Sequence, residues 1–250
     1  MNEARKYHRD GFVVIRKFIS QNEARLFSQY IDKYVSKYGG SLKGKEINWL
    51  DKEQCIANSV HKTDLDPMSP VTKLLHSNKM KDLVGELLSE EAIERCAEFF
   101  CKPARVGLAS PMHQDNFYWC LEPANALTVW LSLTGAEASN GGVAYYSASH
   151  QLGDLPHDAS HAPGSSQKVS DGCLPHDNTL VIPSLSPGDM LIHHALTIHG
   201  SSANTSAKDR RGMTFQYQAK SCCLNKQKQE QYLASLTKQV AAREHRTMES

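Results

Sequence analysis

The chain has 250 residues, long enough to bury a substantial core in one large domain or two small ones. Its 28 lysines and arginines stand against 27 aspartates and glutamates, a formal charge of +1 with no long run of one sign, which argues against a nucleic-acid partner. The start, MNEARKYHRDGFVVIRKF, holds an apolar run of only four residues (Phe12 to Ile15), so no signal peptide or membrane span is read there; the seven cysteines lack paired C-x-x-C spacing, and free thiols in a cytoplasmic protein are expected.

In chain order, Phe12 to Phe18 reads as a short strand. Ser20 and Glu23 form a capping box, Ala24, Phe27, Ile31, Tyr34 and Val35 recur at helical spacing, and Gly39–Gly40 stops that helix. Residues 41–68 show little periodicity and read as a long loop. Ser69–Pro70 caps a further helix, whose pattern continues through SNKMKDLVGELLSE to about Glu90. From residue 93 the pattern turns to short strands separated by Gly, Pro, Asn and Asp. ALTVWLSLT (126–134) alternates, with Leu127, Val129, Leu131 and Leu133 on one face and Thr128, Trp130, Ser132 and Thr134 on the other. GGVAYYSAS, NTLVIPS, GDMLIHHALTIHG and RGMTFQYQA follow as strands, with a Pro/His/Asp-rich stretch at 151–177 among them. A last helix carries Tyr232, Leu233, Leu236 and Val240 on one side. Helices first and strands afterwards predict a mainly β fold with flanking helices (α+β), a barrel or jelly roll with a helical buttress.

The stretch SPMHQDNFYWC (110–120) reads as strand, and side chains two apart on a strand share a face, so His113 and Asp115 are expected to point together into the barrel. A third metal donor must come from elsewhere, and MLIHHALTIHG offers His193, His194 and His199. Two imidazoles and one carboxylate make the facial triad of non-haem iron(II) oxygenases, which leaves positions open for a bidentate cosubstrate and dioxygen. On one extended strand His193 and His199 lie about 20 Å apart, so both cannot bind one ion, and His194, of opposite parity, is read as packed or hydrogen-bonded. His150, His157, His161 and His176 are read as polar loop residues.

The pieces YHRDGFVVI, KPARVGLASPMHQD, TVWLSL, NGGVAYYSASH and GDMLIHHALTIHGS, followed by Arg210 eleven residues after His199, span most of residues 7–217 and resemble the phytanoyl-CoA dioxygenase family of iron(II)/2-oxoglutarate oxygenases. The resemblance implies a double-stranded β-helix (jelly-roll, cupin-like) in a single domain over residues 1–250: a mainly helical part at 1–92, the β core at 93–220 and a C-terminal helix at 221–250. It implies His113, Asp115 and His199 as Fe(II) ligands, Arg210 with Ser201 as the anchor for the distal carboxylate of 2-oxoglutarate, and Trp130 and Lys102 beside the cosubstrate. A guanidinium fork suits a carboxylate and stays charged when buried. The implied chemistry consumes O2, converts 2-oxoglutarate to succinate and carbon dioxide, and hydroxylates a C–H bond of a small-molecule substrate. Asp115, which related halogenases replace by a small residue, favours hydroxylation over halogenation. Trp119, with Asn116 and Phe117, is expected to line the substrate cavity, and the 41–68 and 151–177 loops are read either as lids over the barrel mouth or as surface loops without a catalytic part.

Two other classes use the same donors. A cupin-like metal-binding sensor or scaffold has no need of a buried carboxylate anchor at Arg210, and a zinc hydrolase needs a further general base that is not evident near the triad. The family's substrates include acyl thioesters, amino-acid-like osmolytes, natural products and phosphonates, and the near-balanced charge of residues 41–68 favours none of them.

Overall fold

A computed structural model describes residues 2–160, 166–175 and 180–248, with side chains described as far as residue 237. His161 and His176 lie outside the described residues, as does the side chain of Val240. Antiparallel pairing builds a seven-stranded sheet in the order β1 (Phe12–Ile15), β12 (Met190–His194), β7 (Ala126–Ser132), β14 (Arg210–Ala219), β4 (Ala92–Lys102), β3 (Ile56–Val60) and β2 (Ile47–Asp51). A four-stranded sheet runs β11 (Leu180–Val181), β8 (Val143–Tyr146), β13 (His199–Ser201) and β5 (Ser110–His113). Two ribbons pair β9 (His157–Ala159) with β10 (Gln167–Val169) and β6 (Leu121–Glu122) with β15 (Cys223–Leu224). From β4 onward the chain passes back and forth between the two larger sheets, the topology of a jelly roll.

The alternation in β7 decides which face does what. Leu127, Val129 and Leu131 point outward and join Met213 and Phe215 of β14. Against them lie Ile31, Tyr34 and Val35 of helix α2 (Gln21–Tyr38) and Met80, Val84 and Leu87 of α4 (Asn78–Leu88). Each such side chain contributes roughly 1.5–3 kcal/mol by leaving water. The opposite face of β7, with Thr128 and Trp130, lines the space between the sheets. At α2 the capping box is complete: Ser20 Oγ accepts from Glu23 N–H at 3.2 Å and Glu23 Oε2 accepts from Ser20 N–H at 2.7 Å. Among the described residues no helix is long and apolar enough to cross a membrane.

Several expectations are corrected. Residues 41–68 are not a structureless loop, because β2 and β3 form a hairpin that extends the large sheet. With β1, that sheet draws three strands from the part expected to be mainly helical. The helical pattern after Ser69 breaks into α3 (Pro70–Leu75) and α4, since Ser77 accepts from Met80 N–H and starts a new helix. The 151–177 stretch contains the β9–β10 ribbon. In the last helix, α6 (Lys226–Met248), Tyr232 packs edge-on against Phe117 and Tyr118, whereas Leu233 is 50% exposed.

Two corrections bear on the site. The strand through His113 stops there, and a short helix, α5 (Asp115–Trp119), begins at Asp115. Its end is set by Cys120 in a left-handed conformation (φ 55°). MLIHHALTIHG likewise is not one strand: β12 ends at His194, the chain turns over 195–198, and β13 begins at His199 in the other sheet.

His194, the last residue of β12, is half-buried beside Tyr7 of α1 (Glu3–Asp10) and His150. Its Nδ1 accepts from Leu196 N–H at 3.1 Å, and burial pushes its pKa from 6.5 down to about 4. His157 is also pushed down to about 4 by burial. Between these values the unfolded chain binds more protons than the native one, so stability is full above about pH 6.5 and is lost as the pH falls toward 4. His194→Asn, whose Oδ1 replaces the Nδ1 acceptor, should flatten part of the fall in urea midpoint between about pH 6.5 and 4.5. An unchanged slope would exclude His194 as a source of that fall.

Candidate active site

Three elements deliver the donors. His113 ends β5, Asp115 opens α5, and His199 opens β13, where it stands in register opposite His113. Asp115 Oδ1 is 3.6 Å from both His113 Nε2 and His199 Nε2, and one donor atom from each residue lies within 4.8 Å of the others. His113 and Asp115 do come together, but a strand end and a helix start, rather than one strand face, bring them there.

The surroundings orient each donor. His113 Nδ1 donates to Pro111 O at 2.8 Å and His199 Nδ1 to Thr197 O at 2.9 Å, which leaves both Nε2 lone pairs facing the carboxylate. Asp115 Oδ2 accepts from Thr128 Oγ1 at 2.7 Å and from His193 Nε2 at 3.1 Å. His193 Nδ1 in turn accepts from the fully buried Tyr145 hydroxyl at 2.9 Å. One carboxylate oxygen is thus held by the protein and the other is turned toward the imidazoles. Burial alone would raise the Asp115 carboxyl, but the surrounding His199, His113 and His193 outweigh it and hold it well below the usual range. Burial, reinforced by His193 and His113, lowers His199 well below its ordinary value.

His193 stands where the single-strand reading did not allow it. The turn at 195–198 folds the chain back, so the His193 and His199 ring centres are 4.1 Å apart instead of a strand length.

The donors open into a cavity of about 130 Å³ lined by both sheets. Arg210, Thr214 and Gln216 form the row along β14 that their shared parity predicts, and Ser201 and Trp130 also line it. Arg210 is 4% exposed, has no acidic partner among the described residues, and its Nε lacks any hydrogen-bond partner. Burial pushes its pKa down to about 10, still charged at neutral pH, and its guanidinium sits 4.7 Å from the Trp130 ring centre. Gly212 makes that approach possible, since a Cβ there would lie 2.1 Å from the Trp130 ring.

Other expected residues fall elsewhere. Lys102 does not line the cavity: its ammonium donates to the carbonyls of Leu108, Ser202 (2.8 Å) and Ser201 (3.4 Å), and burial, then Arg210, push it down to about 7. Asn116 is buried and bonded to Leu121 O and Asp154. Phe117 stacks on His157 at 4.1 Å, and Trp119 packs in a separate cluster with the Arg95 guanidinium over its ring. None of these three borders the cavity. Conversely, Glu98 lines it, so a further carboxylate does share the cavity with the triad. Its signal in the sequence was parity, since Glu98, Phe100 and Lys102 alternate on one face of β4.

The fold has known counterparts. A probable phytanoyl-CoA dioxygenase of Caenorhabditis elegans is 25% identical over 242 residues, covering 88% of this chain and 76% of that protein. Among solved structures, the apo form of the non-heme monooxygenase ThoJ superposes with a TM-score of 0.72 at 22% identity, over 89% of this chain and 79% of that one. EctD from S. alaskensis, solved with 2-oxoglutarate and 5-hydroxyectoine, superposes with a TM-score of 0.67 at 19% identity, over 86% and 74%. The profile of the phytanoyl-CoA dioxygenase (PhyH) family matches residues 7–212, most of the sequence and every donor of the site. The chain belongs to the phytanoyl-CoA dioxygenase family.

Proposed function

We propose that His113, Asp115 and His199 hold Fe(II), that Arg210 with Ser201 anchors 2-oxoglutarate beside Trp130, and that the site hydroxylates a C–H bond of a small molecule. The enzyme is an iron(II)/2-oxoglutarate-dependent dioxygenase, an oxidoreductase that uses O2 as cosubstrate. The donor set fits the metal: two neutral imidazole nitrogens and one carboxylate oxygen converge, each fixed by a hydrogen bond at its other end. Bound there, iron with 2-oxoglutarate supplies the oxidation of an unreactive C–H bond, with release of succinate and carbon dioxide.

The observation that carries the reading is the unpaired Arg210. A buried guanidinium without an acidic partner is costly, and a dicarboxylate ligand removes that cost through a forked pair of charge-assisted hydrogen bonds. A metal sensor or scaffold has no use for such a cation. Trp130 covers the guanidinium on one side, and the sheets on either side of the cavity restrict water. Thr128 and His193 keep Asp115 from rotating, so its free oxygen stays aimed at the metal position. The structures of EctD with 2-oxoglutarate and of SnoN with Fe3+, 2-oxoglutarate and nogalamycin RO support a small-molecule substrate.

Iron titration of single variants tests the ligand set. His113→Ala, Asp115→Ala and His199→Ala should each lose iron binding, His193→Ala should weaken it by about 10–100-fold through the loosened carboxylate, and His194→Ala should bind as wild type. Unchanged affinity in His199→Ala together with complete loss in His193→Ala would reverse the assignment of those two histidines.

The cosubstrate anchor is tested separately. Arg210→Lys should keep iron but raise the 2-oxoglutarate concentration needed for succinate formation by at least about tenfold, because an ammonium cannot reproduce the fork. Wild-type dependence in Arg210→Lys, with impairment in Arg211→Lys instead, would show that the anchor is misplaced.

A further inference from the structure

We infer that Glu98 is the substrate-recognising carboxylate of this cavity and that the substrate it selects carries a protonated amine. The inference rests on the placement of iron and 2-oxoglutarate proposed above. Glu98 stands on β4 in register opposite Thr214, faces the cavity, and keeps 17% of its side chain accessible. Its Oε1 accepts from His61 Nδ1 at 2.7 Å and its Oε2 from Gln216 Nε2 at 2.9 Å.

Whether those partners cancel the carboxylate's charge depends on His61, and the hairpin of β2 and β3 answers this. Asn48 Nδ2 lies 3.1 Å from His61 Nε2 and 2.9 Å from Ser59 Oγ, and Ser59 Oγ lies 2.9 Å from the same Nε2. An amide nitrogen only donates, so Nε2 is an acceptor, and the single ring proton sits on Nδ1, directed at Glu98. His61 is therefore neutral, and so is Gln216. Two neutral donors orient the Glu98 carboxylate without compensating it.

Among the described residues lining the cavity, no other group supplies the missing charge. Arg210 is the only lysine or arginine among the described residues lining the cavity, and it lies four residues along β14 from the position opposite Glu98, about 13 Å of extended strand. With iron and cosubstrate bound, the charges of Fe(II) and Arg210 are balanced by Asp115 and the two carboxylates of 2-oxoglutarate. Glu98 then remains as an uncompensated negative charge in a confined space, with one lone pair free on each oxygen.

A substrate ammonium satisfies both the charge and the lone pairs, and Phe100, the next cavity-lining residue of β4, adds an aromatic ring to the same cavity. A plain hydrocarbon chain would dehydrate Glu98 and leave it unpaired. An anionic substrate would be repelled. Glu98 thus separates amine-bearing substrates from apolar acyl chains and acids.

Three probes matched in size test this: n-butylammonium, 1-butanol and butyrate, titrated anaerobically into the Fe(II)- and 2-oxoglutarate-loaded protein. Paramagnetic broadening of the probe NMR signals by the iron reports binding without turnover. Wild type should bind n-butylammonium at least about tenfold more tightly than 1-butanol and show no binding of butyrate. Glu98→Gln, close to isosteric, should lose that preference while still forming the visible absorption band of the iron–2-oxoglutarate complex. The inference is overturned if 1-butanol or butyrate binds wild type as well as n-butylammonium does, if no probe is broadened, or if Glu98→Gln keeps the preference. The wild-type comparison decides without any variant. A normal absorption band with no ammonium preference removes only this inference, whereas failure of wild type to form the band removes the reading it rests on.

Discussion

The division of labour between the two oxygens of Asp115 is the constraint on which the rest of the site depends. Oδ2 is tied to Thr128 and His193, so Oδ1 has one direction left, toward the Nε2 atoms of His113 and His199. Thr128 belongs to the inward face of β7 and His193 to β12, both in the large sheet, whereas His113 and His199 belong to the small sheet. The carboxylate is thus clamped by one sheet and presented to the other. Any relative shift of the sheets would alter the donor separations directly, which gives the packed outer core a part in the chemistry.

That core is asymmetric. Helices α2 and α4 cover the outer face of the large sheet with tightly packed aliphatic side chains, while the inner face gives up close packing to hold a polar row. Along β14 the row runs from Arg210 through Thr214 to Gln216, and β4 adds Glu98 beside it. A cation therefore marks one end of the cavity wall and a carboxylate stands four residues along from it. Two charges of opposite sign held apart cannot satisfy each other, so each calls for a ligand group of its own.

The β2–β3 hairpin has a role of the same kind. Asn48, Ser59 and His61 hand a hydrogen bond across β2 and β3 to Glu98 on β4, so a segment whose sequence lacks periodicity orients a cavity residue. Bulges interrupt the pairing of β2 with β3, and the irregular register hides the alternation that usually reveals strands. His157 supports the site from the other side, accepting from Gln114 N–H between two of the donors and stacking on Phe117.

Much of this was legible in the sequence, for reasons that are local. Alternation in β7 announced which residues face the helices, the Ser20–Glu23 pair announced where α2 begins, and H-x-D with a distant His and Arg pointed to four residues that the fold brings to one cavity. Chain spacing could not show where strands end. The stop after His113 and the turn at 195–198 are set by the need to cross from one sheet to the other, a tertiary requirement, and they convert an expected 20 Å separation of His193 and His199 into a 4.1 Å contact. Trp119, Phe117 and Asn116 follow the donor motif in sequence, yet the helix that begins at Asp115 turns all three away from the cavity. Glu98 and His61, distant from every motif, enter the site because β3, β4 and β14 are neighbours in the sheet. By itself the sequence determined residue chemistry and short-range periodicity, which depend on neighbours along the chain. Only the tertiary structure decided which polar groups share one desolvated space, because that depends on how the two sheets are laid face to face.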